Sequence, residues 1–309
     1  MMSLPPEILG LIVDVFSAQR RALKTFSLVS RSFHSRARIH LFSRVVLWVG
    51  TEEICRKRAV EFIRILKFKK NSDLISRIRS LKVLLHPEGW NSYEVEAGDY
   101  PLLSSKGFLK LLRVDTDPIK TALAIFKTAP IEEFVLNYSS GKFRRNRTTE
   151  LLFEICSNPN LKALSFERIQ NLPSRFIMGN RPAQKLTRVA LAQVTISDDD
   201  FQTPIRTVGL TAADLETLEL VQMTTNESLM ALSYLSQRRF PFTLSESFAN
   251  LKNLVITLPQ GICDERNVVW NIIFGAVETL ESLELRLSTE PPDSGKVFSV
   301  FCLKGVRIR

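Results

Sequence analysis

Cysteine, histidine and glycine are scarce in this chain, and each scarcity excludes a class of chemistry. The 309 residues include only four cysteines, at positions 55, 156, 263 and 302, and three histidines, with no Cys-x-x-Cys pair. Structural zinc sites need closely spaced Cys and His ligands, so we expect no metal site and no cofactor. The twelve glycines form no phosphate-binding or dinucleotide-binding loop, and neither Gly-x-Ser-x-Gly nor His-Glu-x-x-His occurs.

Long apolar runs are also missing. No run approaches the ~18 residues that a membrane span needs, and the apolar stretch at residues 8–13 lacks the basic start of a signal peptide. We therefore expect a cytoplasmic or nuclear protein that does not enter a membrane.

Asp115 with Asp117, and Asp198–Asp200, could each share a metal, but such aspartates commonly cap helices and turns. We accordingly expect a protein that is not an enzyme.

Positive charge is unevenly distributed along the chain. The whole sequence has 42 basic and 32 acidic residues, a net charge of +10. Residues 1–80 hold 16 basic and 6 acidic residues, so the entire excess lies in the first quarter. This asymmetry indicates an acidic partner for the N-terminal part.

Three short helical patterns occupy the first 48 residues. Pro5 and Pro6 suit a first helical turn that Ser3 would cap, and apolar residues then recur at helical spacing from Ile8 to Phe16. Further patterns cover residues 22–29 and 30–41. None of these helices would be stable alone, so we expect them to pack on one another, and the module to lean on a neighbour or partner.

These residues resemble an F-box. The string LPPEIL at residues 4–9, the segment LVSRSF at residues 28–33 and the pair Leu41-Phe42 carry the resemblance. F-boxes are three-helix modules that dock onto the Skp-type adaptor of Skp–cullin–F-box ubiquitin ligases. Transferred to this sequence, the resemblance implies adaptor contacts at Leu4, Pro5, Ile8, Leu9, Ile12, Leu28 and Val29.

One apolar pattern, apolar-x-x-apolar-x-apolar, recurs along the rest of the chain. It starts at nine positions spaced 22–36 residues apart, which are Phe42, Ile78, Leu109, Ile131, Leu161, Leu186, Leu215, Leu251 and Leu280. The alternation ending each unit predicts a strand, and residues 52–68 and 148–157 predict helices between strands. The sequence thus predicts an α/β fold in which stacked units form a curved parallel sheet with helices outside.

The repeats resemble divergent leucine-rich repeats, like the irregular arrays that follow many fungal F-boxes. The usual asparagine position holds other residues, among them Ile169, Val194 and Met223. We predict a helical docking module at residues 1–48 and a repeat array at residues 49–309. A compact α/β domain with fortuitously matching strands is the alternative fold.

The register of the repeats predicts a concave face that binds a target protein. Its residues include Lys82 and Asp115, and those predicted to contact the target are Arg113, Glu133, Ser165, Glu167, Arg188, Glu219, Glu284 and Arg286. Four basic and five acidic residues on this face do not suit a phosphate backbone, so we do not expect nucleic acid as the partner.

Together these features predict a non-enzymatic substrate receptor of a Skp–cullin–F-box ubiquitin ligase. The module would bind the adaptor and, through it, the cullin, while the array would hold an unidentified protein target. Three alternatives remain open at this point: a leucine-rich interaction scaffold without ligase association, a basic nucleic-acid-associated protein, and an enzyme whose site has no sequence signature.

Overall fold

A computed structural model describes most of the first 200 residues and selected segments beyond them. The described residues are 5–49, 53–67, 73–85, 117–138, 147–178, 186–197, 214–223, 227–228, 230–231, 235, 248–259, 272–273, 276–288 and 297–304. Within them the chain is an α/β protein with seven α-helices and a nine-stranded sheet, of which eight strands are parallel.

Three helices open the chain, as the sequence predicts. They are α1 at Pro6–Val15, α2 at Arg20–Val29 and α3 at Arg31–Ser43. Pro6 lies in the first turn of α1, where its missing N–H is not needed. No side chain among the described residues caps this helix, and the predicted cap Ser3 lies outside them. The Ser30 hydroxyl accepts a hydrogen bond from the Phe33 N–H at 3.3 Å and so caps α3.

The core of this helical module is small. Val13, Leu23 and Ala37, one residue from each helix, are its only fully buried apolar side chains among the described residues. The Phe26 ring stacks on Phe33 and meets Phe16 edge-on, with ring centroids 5.4 Å apart in both pairs. A core of this size makes the module depend on its contacts with the rest of the chain or with a partner.

The large sheet begins directly after α3. Its parallel strands, in sequence and in spatial order, are β1 (Arg44–Val49), β2 (Ser80–Leu85), β3 (Glu133–Tyr138), β4 (Ala163–Glu167), β6 (Arg188–Ala192), β8 (Thr217–Val221), β9 (Asn253–Pro259) and β10 (Ser282–Ser288). Each new strand is added beside the preceding one. Since the sheet starts at Arg44, the last five residues of the predicted helical module belong to its edge strand.

Buried apolar residues line one face of the sheet in two continuous rows. Strand register aligns Val45, Leu81, Phe134, Leu164, Val189, Leu218, Leu254 and Leu283 in one row. Each of these side chains is at most 9% exposed. The second row, two residues further along each strand, starts at Leu47 and Val83. Equivalent positions of these eight strands therefore face the same core, as the apolar alternation along each strand predicts.

Helices cover the buried face between successive strands. They are α4 (Glu53–Lys67), α5 (Pro118–Phe126), α6 (Arg147–Cys156) and the single turn α7 (Arg175–Met178). The bounds of α4 and α6 agree with the two predicted helices to within one residue. Phe62 of α4 stacks on Phe126 of α5 at 5.3 Å, so neighbouring helices also pack on each other.

Three features depart from the predicted array. Strand β11 (Val297–Lys304) pairs antiparallel with β10 and closes that edge of the sheet. A separate two-stranded sheet joins β5 (Leu172–Pro173) to β7 (Ile196–Ser197). Strand β2 is hydrogen-bonded directly to β3, whereas the array prediction places a unit from Leu109 between them; residues 109–114 lie outside the described residues, so the strand predicted there stays a prediction.

A residue in the left-handed conformation follows three neighbouring strands of the sheet. Arg168, Gln193 and Gln222 have φ of 58°, 54° and 52° and come directly after β4, β6 and β8. The next residue in each case, namely Ile169, Val194 or Met223, is at most 4% exposed. A buried apolar side chain thus directly follows the left-handed residue after each of these strands.

Candidate functional site

Exposed apolar side chains are concentrated in the helical module. Seven large hydrophobic side chains in the described part of the chain are exposed, and five of them lie in α1 and α2. On α1 these are Ile8, Leu11 and Val15, which are 43%, 61% and 78% exposed. A spacing of three and four residues puts them on one side of the helix. Helix α1 therefore presents an apolar stripe to solvent.

The other side of α1 is attached to α3. Val13 is fully buried in the module core, and the Asp14 carboxylate binds two side chains of α3. Arg36 donates from Nε and from its terminal nitrogen to the two carboxylate oxygens, at 2.7 and 2.6 Å, and His40 Nε2 lies 2.7 Å from Oδ1. The hydrogen bonds from Arg36 and His40 lower the pKa of Asp14 to about 2. Helix α1 thus has a fixed inner side and an uncovered outer side.

The predicted adaptor-binding residues differ in exposure. Pro5 and Ile8 are exposed, Leu9 and Ile12 are half-buried, and Leu4 lies outside the described residues. At the end of α2, Leu28 and Val29 are 87% and 64% exposed. Because Leu9 and Ile12 are half-buried, their substitution would affect folding as well as any docking.

Two residues of the exposed stripe were missed by the sequence reasoning. Leu11 and Val15 were assigned no role, although both are more exposed than Ile8. The signal for them is the composition of α1, PEILGLIVDV, in which apolar residues occur on nearly every side. A helix in a three-helix module can bury only one side, so some of these residues had to face outward.

The predicted target-binding residues lie on the face of the sheet opposite the buried rows. We call this the open face. Arg113 is outside the described residues, and the other seven are on this face. Glu133 and Arg188 share one row, Ser165, Glu219 and Glu284 share the next, and Glu167 and Arg286 occupy the third. The structure therefore distributes them over five strands and does not gather them into a cleft.

Charges on the open face are largely paired with one another. Arg188 of β6 donates to Glu219 of the neighbouring strand β8 at 2.8 Å, and within β10 Arg286 donates to Glu284 at 2.8 Å. Lys82 Nζ lies 3.5 Å from Glu167 Oε2, which also accepts from the Asn137 side-chain amide at 2.7 Å. Lys82, Arg188 and Arg286 are the predicted basic residues in the described part of this face, and each has a carboxylate neighbour. Little net positive charge is therefore left to bind phosphates.

A second set of charges lies where the strands begin. The residues directly preceding successive strands are Arg79, Glu132, Lys162, Thr187, Glu216, Lys252 and Glu281. Glu132 pairs with Arg79 at 3.2 Å and with Lys162 at 2.9 Å, and Glu216 pairs with Lys252 at 3.3 Å. Each pair is exposed and contributes little energy, but the alternation of sign favours the native neighbours over shifted ones. The sequence signal for this ladder, which was missed, is a charged residue directly before six of these seven strands.

The aspartates considered as metal ligands are only partly described. The Asp117 carboxylate accepts the Ile119 N–H at 3.0 Å and caps α5, as expected for an aspartate before a helix. Asp115 and Asp198–Asp200 lie outside the described residues. Within the described ranges, no group of three or more His, Cys, Asp or Glu side chains could hold a metal ion. None of the helices in those ranges is long and apolar enough to cross a membrane.

Comparison of the chain with protein-family models and with curated proteins gives no match. The two surfaces are therefore assigned from the geometry of this chain alone: an apolar stripe on the helical module, and an open face whose charges are largely paired.

Proposed function

We propose that this chain is a non-enzymatic substrate receptor of a Skp–cullin–F-box ubiquitin ligase. The helical module is an F-box, which docks on the Skp-type adaptor and through it on the cullin. The sheet and its helices are a divergent leucine-rich-repeat solenoid, which holds a target protein on the open face. The receptor makes no bond itself, and acts by raising the effective concentration of the target near the conjugating enzyme.

The observation that carries this proposal is the exposed apolar stripe on α1. Leu11 and Val15 are 61% and 78% exposed, and at the end of α2 Leu28 is 87% exposed. Fully burying a side chain of this kind contributes about 1.5–3 kcal/mol, so a partner that covers several of them gains substantial affinity. Exposed apolar side chains concentrated in one small module are more typical of a protein-binding surface than of a surface that the fold requires.

The open face suits a protein target better than a polyanion. Arg188, Lys82 and Arg286 each have a carboxylate within 3.5 Å on the same face. A nucleic acid would have to displace those carboxylates to reach the cations, which costs affinity and yields few released counterions. A protein surface of mixed polarity can instead form hydrogen bonds with both members of each pair.

The test is co-purification of the full chain with a purified Skp-type adaptor, using two substitutions in the exposed stripe. Leu11→Glu and Val15→Glu introduce a charge at positions that are already largely solvated, so the fold should survive. At a docked interface the same charge would be stripped of water, so we expect adaptor binding to fall at least tenfold in each variant.

Ile65→Glu is the matched control. Ile65 is an exposed apolar residue on α4 (39%), outside the helical module, and its substitution should leave adaptor binding unchanged. Circular dichroism of all three variants verifies the fold. If adaptor binds native protein and both stripe variants equally, the stripe is not the docking surface. If the folded native chain binds no adaptor, the scaffold without ligase association becomes the better description.

A further inference from the structure

The first strand of the sheet has one strand neighbour among the described residues. Strand β1 (Arg44–Val49) is hydrogen-bonded to β2 and ends the strand order on that side. At the opposite side of the sheet, antiparallel β11 is added beyond the last parallel strand. An edge strand presents backbone N–H and C=O groups on its outer side, where an extended chain can add as a further strand.

The composition of β1 is compatible with the addition of a further strand. Its sequence, RVVLWV, contains no proline, glycine or lysine, which are the residues that usually protect an edge. Val46 points to the open face and is 39% exposed. Six residues also match the length of a typical strand, so the edge is long enough to hold a peptide in register.

The buried face of β1 is already supported. Val45, Leu47 and Val49 belong to the same core cluster as Cys55, Ala59 and Ile63 of α4. Helix α4 therefore holds β1 in place on one side. An added strand would find a rigid edge and would not have to order it, which reduces the entropic cost of binding.

The charge around this edge selects the kind of chain that would bind. Arg44 is exposed on the open face at the start of β1, and the Arg58 guanidinium lies 5.4 Å from the centroid of the Trp48 ring. Residues 1–80, which include β1 and α4, carry 16 basic and 6 acidic side chains, so this part of the chain has a net positive charge. On an added strand, a residue opposite Arg44 lies close enough for a charge-assisted hydrogen bond to the guanidinium.

We propose that the outer edge of β1 accepts an extended acidic segment of a partner protein as an additional strand, with a carboxylate beside Arg44. Backbone hydrogen bonds supply the attachment, and carboxylates alternating with apolar residues supply the selectivity. The site uses none of the residues of the stripe on α1.

The experiment uses the full chain and a fluorescent peptide with three Glu-Val repeats between Gly-Ser flanks, followed by anisotropy. A peptide with three Lys-Val repeats in the same flanks is the charge-reversed probe. We expect the Glu-Val peptide to bind and the Lys-Val peptide to bind at least ~10-fold more weakly. Methylating alternate backbone nitrogens of the Glu-Val peptide, on the side that meets β1, should abolish binding because strand addition needs those donors.

Two protein variants distinguish binding at the edge of β1 from non-specific attraction to positive charge. Arg44→Glu should weaken the Glu-Val peptide at least ~10-fold and strengthen the Lys-Val peptide, because the charge meeting the ligand is inverted. Arg56→Glu makes the same charge change on the exposed side of α4 and should have little effect on either peptide. Hydrogen exchange should show new protection at β1 amides when the Glu-Val peptide is bound.

Several results would overturn the proposal. Equal loss of binding in Arg44→Glu and Arg56→Glu, or binding that tolerates backbone methylation, would mean non-specific attraction to a basic surface. No binding at millimolar peptide would mean that the edge is not available. Concentration-dependent dimerisation that protects β1 would identify a second copy of the chain as the occupant. Adaptor binding by Arg44→Glu is measured in parallel, so failure here is distinguishable from failure of the proposed receptor role.

Discussion

The register of the sheet can be tested at two adjacent residues that face opposite ways. Leu218 is 0% exposed and lies between Val189 and Leu254, which are 1% and 0% exposed. Glu219 points to the open face and pairs with Arg188, with side chains that are 27% and 50% exposed. Truncating each residue to alanine therefore tests two adjacent positions of one strand, one in the core and the other on the open face.

The expected losses differ several-fold. Leu218→Ala removes three buried carbon groups, a transfer loss of about 2 kcal/mol. Its row neighbours are held by backbone hydrogen bonds and can collapse only partly into the space, so a cavity term brings the total to about 3–4 kcal/mol. Glu219→Ala removes an ion pair that solvent screens, and should cost less than about 1 kcal/mol.

Urea denaturation of the full chain, followed by circular dichroism, measures both values. A lower midpoint at constant slope indicates a loss of stability without a change in the surface exposed on unfolding. A neutral Leu218→Ala together with an unfolded Glu219→Ala would refute the register, since a shift of one residue exchanges the two faces of a strand.

Three further predictions concern single residues. The folded pKa of Asp14, about 2, is below its usual 3.8, so its stabilisation is present above pH 4 and is lost as the pH falls towards 2. Asp14→Asn should remove that pH-dependent part of the free energy of unfolding, which is about 1 kcal/mol after allowing for solvent screening. An NMR titration in which Asp14 has a pKa near 3.8 would contradict this prediction. Gly10→Ala should raise the thermal midpoint, because a Cβ at Gly10 meets no atom within 4 Å and alanine favours a helix by ~0.5–1 kcal/mol; an unchanged or lower midpoint would count against this. Arg168→Asn should stabilise by about 0.5–1 kcal/mol in urea, because asparagine tolerates the left-handed conformation at φ 58°; a destabilised variant would contradict that geometry.

Much of the local structure was predictable because it depends on short-range spacing. The three module helices and α4 and α6 were predicted within a few residues, since apolar periodicity of 3.6 and capping residues act over one or two turns. The buried rows through Leu164 and Leu218 were predictable for a similar reason, because alternation along each strand reports which side faces the core.

Features that depend on several distant segments were not predictable. The left-handed residues Arg168, Gln193 and Gln222 are not the glycine or asparagine that usually marks such a turn, so only the stacked neighbours impose that backbone. The Leu109 unit matches the repeat pattern as well as its neighbours do, yet β2 pairs directly with β3. A one-dimensional pattern cannot tell which matching segments become adjacent strands.

The sequence by itself determined the three module helices together with α4 and α6, the side of each parallel strand that is buried, and the concentration of positive charge in the first quarter. All three depend on residue type and spacing within a few residues. Tertiary structure decided that the Asp14 carboxylate joins α1 to α3 and so turns Leu11 and Val15 outward. It also decided that Arg188 and Glu219 neutralise each other and that β1 ends the strand order among the described residues. These outcomes depend on which distant groups come within a few ångströms, and the free energies that fix such contacts are sums over the whole fold.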